Sequence, residues 1–187
     1  MNVLIKSIEA EFHRYKALAE AAVEQVPEAS LSLSGPAGNN SLAALCWHVS
    51  GNLQSRFTDF LTSDGEKSWR RREEEFEPRV VSRVEILAKW TEGWNVLFST
   101  LDTLADVDLA KSVVIRGQNL AVHEALHRSL AHVSYHVGQI VYLARSICGG
   151  EWRYLSIPPG GSAAYNNNPS LEKPEQHEGA LRGGPTA

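Results

Sequence analysis

Apolar residues that return every three or four positions, in four separate stretches, constrain this chain most. In the first stretch Leu4, Ile5, Ile8, Phe12, Tyr15, Ala19, Val23 and Val26 mark one face of a helix over residues 3–26, which Pro27 ends. In the second, Leu42, Leu45, Val49, Leu53, Phe57 and Phe60 predict a helix from Ser41 to Leu61. The third opens at Ser82, where Ser82-Arg83-Val84-Glu85 fits a capping box, and continues through Ile86, Trp90, Trp94, Leu97, Leu101 and Leu104. The fourth runs from Val122 to Cys148 and stops at Gly149-Gly150. Each stripe is one face that must be buried against another, so the expectation is an all-α protein built as a four-helix bundle.

The connections carry less information. Residues 28–40 are rich in Ser, Gly and Asn and suit a loop. Residues 62–81 hold Asp64-Gly65, the run Arg70-Arg71-Arg72-Glu73-Glu74-Glu75 and Pro78, and read as a solvated connection. Extended, a link of about 20 residues reaches some 60 Å, twice the ~30 Å of the second helix. It therefore permits a crossover that leaves helices two and three parallel. Residues 111–122 predict a short extended hairpin around Gly117, just before the last helix. Residues 157–187, with Pro158-Pro159-Gly160-Gly161, Asn166-Asn167-Asn168 and Gly183-Gly184, predict an irregular tail, disordered in its last third. The expected organisation is one helical domain over 1–165 and a flexible tail over 166–187.

Composition narrows the function classes. Eighteen Lys and Arg against 22 Asp and Glu give a net charge of −4, which argues against a nucleic-acid binder driven by phosphate neutralisation. Cys46 and Cys148 are the two cysteines, too few for a disulfide framework, and point to a reducing compartment. No apolar run approaches the roughly 18 residues of a membrane span, and the first residues show no secretory core. The expected location is cytoplasmic, the expected partner a small-molecule substrate, with no nucleic acid and no membrane.

The histidines carry the chemistry. His123, His127, His132 and His136 all fall in the fourth helix, as two pairs four residues apart. At about 100° per residue, His132 and His136 flank the core face, whereas His123 and His127 lie at the edge of the polar arc. On the second helix His48 flanks the apolar stripe, with Asn52, Arg56 and Asp59 close to it on the wheel. Buried polar groups need partners. Separate hydrogen bonds would satisfy three imidazoles one by one; a shared metal ion would satisfy them together. Three neutral imidazoles suit zinc, nickel, iron or copper, and leave a coordination position open for water or substrate. Gln139 and Asn52 are candidates to support the ligands from behind, and Arg56 and Asp59 to line the pocket. Cys46 points about 160° away from His48 and reads as a small buried apolar residue.

A competing motif is His123-Glu124-Ala125-Leu126-His127, which matches the H-E-x-x-H pattern of zinc proteases. Its face is the polar one and no substantial sheet precedes it. Glu124-x-x-His127 is also half of a di-iron motif, but the remaining carboxylates are missing. The five tryptophans read as core and interface anchors, and His13 and His177 as exposed.

The stretch His132-Val133-Ser134-Tyr135-His136-Val137-Gly138-Gln139 resembles the H-x3-H-x-G-Q signature of the DinB/YfiT-like superfamily. Leu45-Cys46-Trp47-His48-Val49-Ser50-Gly51-Asn52 resembles its first-ligand helix. Residues 41–69 and 113–165, including Arg56-Phe57-Thr58-Asp59-Phe60 and Leu155-Ser156-Ile157-Pro158, are similar to an uncharacterised branch known as a domain of unknown function. The resemblance spans residues 3–165. It implies up-down-down-up topology, a metal site of His48, His132 and His136 often filled by zinc or nickel, and a homodimer. Characterised relatives use a low-molecular-weight thiol such as bacillithiol or mycothiol in S-transfer, or in isomerising maleylpyruvate. The expectation is a metal-dependent enzyme, a thiol-dependent S-transferase or a hydrolase. The alternatives are a non-catalytic metal-binding helical module and the H-E-x-x-H protease.

Overall fold

The computed structural model describes residues 2–35 and 38–183. Four long helices, α1 (Val3–Val23), α2 (Leu42–Phe57), α3 (Arg83–Thr103) and α4 (Val122–Cys148), share one hydrophobic core. A two-stranded antiparallel hairpin, β1 (Ser112–Ile115) and β2 (Gln118–Ala121), precedes α4, and both residues of its turn take a positive φ, Arg116 at 53° and Gly117 at 72°. Two short helices follow, α5 (Ser162–Asn167) and α6 (Pro174–Arg182). No helix among the described residues is long and apolar enough to cross a membrane.

The capping signals work as the residues suggest. Ser41 Oγ accepts the Ala44 amide at the start of α2. Ser82 and Glu85 form the reciprocal capping box of α3. Glu124 accepts the Ala121 amide at 2.7 Å, which closes the first turn of α4. Within the core Phe12 meets Trp94 edge-on at 6.1 Å, and Trp90 and Trp94 are fully buried. Trp69, by contrast, is exposed, and Trp47 lies under the Arg79 guanidinium at 4.6 Å.

The helix directions follow from who meets whom. Ser50 of α2 bonds the Gly93 amide of α3, and seven residues on the Phe57 carbonyl accepts from Thr100. Both helices advance together, so α2 and α3 run parallel, as the long link permits. The end of α4 meets the end of α1, where Cys148 Sγ contacts the Gln25 carbonyl.

Three features differ from the sequence expectation. Helix α2 ends at Phe57 rather than Leu61, because Thr58 is extended and Asp59 takes a left-handed φ of 49°. The link after α2 is not wholly solvated: a 3-10 turn over Glu73–Phe76 packs on α2 and buries Glu75. Helices α5 and α6 stand where irregular chain is predicted. Helix α6 packs on α1 and buries His177, whose Nε2 donates to the Leu155 carbonyl at 2.6 Å. That bond is the reason His177 is inside rather than exposed.

Candidate metal centre

Helix α2 presents His48 and helix α4 presents His132 and His136, one turn apart. The three Nε2 atoms converge. His132 Nε2 lies 3.3 Å from that of His48 and 3.1 Å from that of His136. One ligand atom from each residue lies within 4.8 Å of the others, the only such histidine, cysteine or carboxylate group of this kind among the described residues. His48 is 4% exposed and His136 9%.

The opposite ring nitrogens show which form the imidazoles take. His48 Nδ1 bonds Glu75 Oε2 at 2.9 Å, and His136 Nδ1 bonds Gln139 Oε1 at 2.8 Å. Both oxygens accept, so both Nδ1 atoms carry hydrogen. The Nε2 lone pairs of His48 and His136 are thereby turned to the centre. His132 can donate its Nε2 hydrogen to only one of them at a time. A neutral triad therefore holds at least one unrelieved lone-pair contact, which a cation at the centre would remove.

Burial favours the neutral form of two of the rings, His132 and His136. It is the main reason the His132 pKa is pushed down to about 3, with His136 and His48 adding to it. His136 is also lowered, chiefly by burial, although its bond to Gln139 works the other way. Glu75 is held below the usual carboxylate range. Burial opposes this, but the bonds from His48 and Arg70 outweigh it. Arg70 grips Glu75 in a fork, Nε to Oε1 at 2.8 Å and a terminal nitrogen to Oε2 at 2.9 Å.

Neither Arg70 nor Glu75 was expected at the site. Charge composition assigns the whole run to solvent, and Arg71, Arg72, Glu73 and Glu74 are indeed exposed. Only its two ends turn inward. The one signal for this was Gly51. A Cβ there would meet Glu75 Oε1 at 2.2 Å, so the glycine in mid-helix makes room for the carboxylate.

The other expected residues divide. Asn52, Arg56 and Gln139 line the cavity of about 430 Å³ beside the triad. Arg56 also bonds the Gly65 carbonyl and Glu66. Asp59 does not belong: it lines a separate hollow beside Thr58 and Thr100, because α2 has ended and its wheel position no longer applies. Cys46 is buried away from the triad, and burial pushes its thiol up to about 12.

The H-E-x-x-H motif is not assembled. His123 and His127 are exposed with ring centroids 6.2 Å apart. His123 Nδ1 bonds the Leu109 carbonyl, and Glu124 caps its own helix. His123 and Glu124 thus already have structural tasks, and among the described residues neither histidine of the motif belongs to a group of three candidate ligands, which disfavours the alternative protease reading.

Residues 2–161 match the model of a family described as a protein of unknown function, DUF1572. The chain belongs to that family. The match includes all three histidines, Glu75 and Gln139, so the candidate centre lies wholly within the family region. No curated protein and no solved structure matches the chain.

Proposed function

We propose that His48, His132 and His136 hold a divalent transition metal, zinc or nickel, and that the protein is a metal-dependent enzyme acting on a small molecule. The observation that carries this is the convergence of three Nε2 atoms with the Nδ1 atoms of His48 and His136 tied to Glu75 and Gln139. A carboxylate or amide oxygen behind an imidazole is how metal-binding histidines are oriented and made more basic. The donor set fits the ion: three borderline nitrogen ligands on two helices. When bound, such an ion acidifies a water or a thiol and so supplies a nucleophile at neutral pH.

The chain's own groups then have separate tasks. Glu75 and Gln139 orient ligands, and Arg70 fixes Glu75. Asn52 and Arg56 face the space where a substrate would sit. That space, together with three rather than four protein ligands, favours a hydrolase or a thiol-dependent S-transferase over a closed structural site. The parallel α2 and α3 and the pairing of the ends of α1 and α4 support a DinB/YfiT-like bundle of up-down-down-up topology. A low-molecular-weight thiol as co-substrate and a homodimer complete this reading.

Elemental analysis of the purified protein tests it. A single ion per chain is expected, lost from His136→Ala and retained in His127→Ala. A wild-type protein that takes up no transition metal, or a His136→Ala variant that keeps it, would overturn the proposal. Failure of the metal-loaded protein to turn over any thiol conjugate or ester would leave the non-catalytic module.

A further inference from the structure

The cavity beside the triad has a one-sided charge. The charged side chains lining it, apart from the histidines, are Arg56, Arg70, Arg72, Arg116 and Arg128; among the described residues no carboxylate lines it. Their partners stand behind the wall and are fewer. Glu75 is shared by Arg70 and His48. Glu66 is shared by Arg56 and Arg116, at 3.2 and 2.8 Å, and Arg72 pairs with the exposed Glu73 at 2.8 Å. The nearby Asp64 is spent on the backbone amides of Glu66, Arg116 and Gly117. The protein as a whole carries −4, so the positive field belongs to this cavity and not to the surface at large.

Two adjacent residues of α4 are left over. Arg128 lies four positions before His132, on the same side of the helix, and has no ion pair or hydrogen bond among the described residues. Ser129 is 6% exposed, lines the cavity, and its buried Oγ has no hydrogen-bond partner. A buried hydroxyl without a partner is costly, and an unpaired guanidinium is a fork shaped for an oxyanion. Arg128 is exposed and has no carboxylate partner among the described residues, so one oxyanion can take both the bond that Ser129 lacks and the fork that Arg128 offers.

We infer that the substrate of this site carries a carboxylate or phosphate group, which Arg128 and Ser129 hold beside the histidine triad. The inference rests on the metal-site reading for where the reaction occurs, but the anion receptor is made of protein groups alone. Arg128 supplies the charge-assisted pair and the Ser129 hydroxyl donates the second bond. The cavity volume of about 430 Å³ limits the ligand to a small molecule.

Calorimetric titration of the whole protein tests this, with succinate, inorganic phosphate and neutral succinamide as probes, before and after zinc loading. Binding of succinate or phosphate but not succinamide is expected in both forms, and the stronger of the two anions identifies the headgroup. Arg128→Gln should weaken that binding about tenfold or more, with zinc content unchanged. Arg128→Lys should recover part of it, and Ser129→Ala should cost a smaller factor. Equal affinity in Arg128→Gln, no binding of either anion, or binding that appears only with zinc and ignores Arg128 would each overturn the inference. A protein that takes up no zinc yet binds anions through Arg128 would sink the metal reading and leave this one standing. Zinc uptake with no anion binding would do the reverse.

Discussion

Glu75 governs the direction in which the His48 lone pair points, and Gly51 governs where Glu75 can be. The carboxylate sits against the α2 backbone at a place where any β-carbon would overlap it, at 2.2 Å from Oε1. Gly51→Ala is therefore expected to push Glu75 off His48 while leaving α2 helical, since alanine is the better helix former by about 1 kcal/mol. Loss of an oxygen behind a metal-binding imidazole typically costs about 10–100-fold in affinity. Chelator competition should show a loss of that size in Gly51→Ala, with far-ultraviolet circular dichroism unchanged; wild-type affinity in the variant would remove Glu75 from its supporting role. At this scale the three histidines were legible because helical spacing fixes which residues share a face. Glu75 was not, because it comes from a 3-10 turn 27 residues after His48, where no periodicity ties it to α2. Its acidic neighbours looked alike in composition; burial and the bond to Arg70 separate it from them.

At the scale of elements, α2 and α3 approach backbone to backbone two residues after His48. A Cβ on Gly93 would meet the Ser50 Cα and carbonyl oxygen, each at 2.6 Å. Ser50 Oγ donates to the Lys89 carbonyl at 2.6 Å and accepts from the Gly93 amide at 3.2 Å, which closes the gap with hydrogen bonds instead of side-chain packing. Backbone cannot yield as a flexible side chain does, so Gly93→Ala must separate the helices. Urea denaturation should show a loss of about 1–3 kcal/mol, the usual cost of overpacking a core. An unchanged midpoint would mean that the two helices can slide apart freely. The four long helices were legible because each buries one continuous apolar stripe. The end of α2 was not: Phe60 extends the apolar rhythm past Phe57, and the left-handed turn at Asp59 is a tertiary choice that leaves Phe60 buried by another route.

At the scale of the molecule, the centre and the C-terminal helices lie on different partners. The triad joins α2 to α4, whereas α6 packs on α1 and falls beyond the family match, which ends at residue 161. His177 anchors α6 to the segment after α4 through the Leu155 carbonyl, and Arg182 bonds Glu178 along the helix at 2.8 Å. This division explains why the Gly-, Pro- and Asn-rich composition misled: the segment has few apolar residues of its own and gains order by laying one small face on α1. Removing residues 169–187 should uncover that face and break the His177 bond, at a cost of about 2 kcal/mol, or ~4–8 °C in Tm for a chain of this size. Because the side-chain hydrogen bonds of the three histidines, Glu75 and Gln139 among the described residues lead to α2, α4, Arg70 and the Glu73–Phe76 turn and not to α6, the shortened protein should still bind metal with unchanged stoichiometry. A normal Tm would show that α6 contributes nothing to the folded state. Loss of metal along with stability would show instead that α1 transmits the support of α6 through the core to the centre.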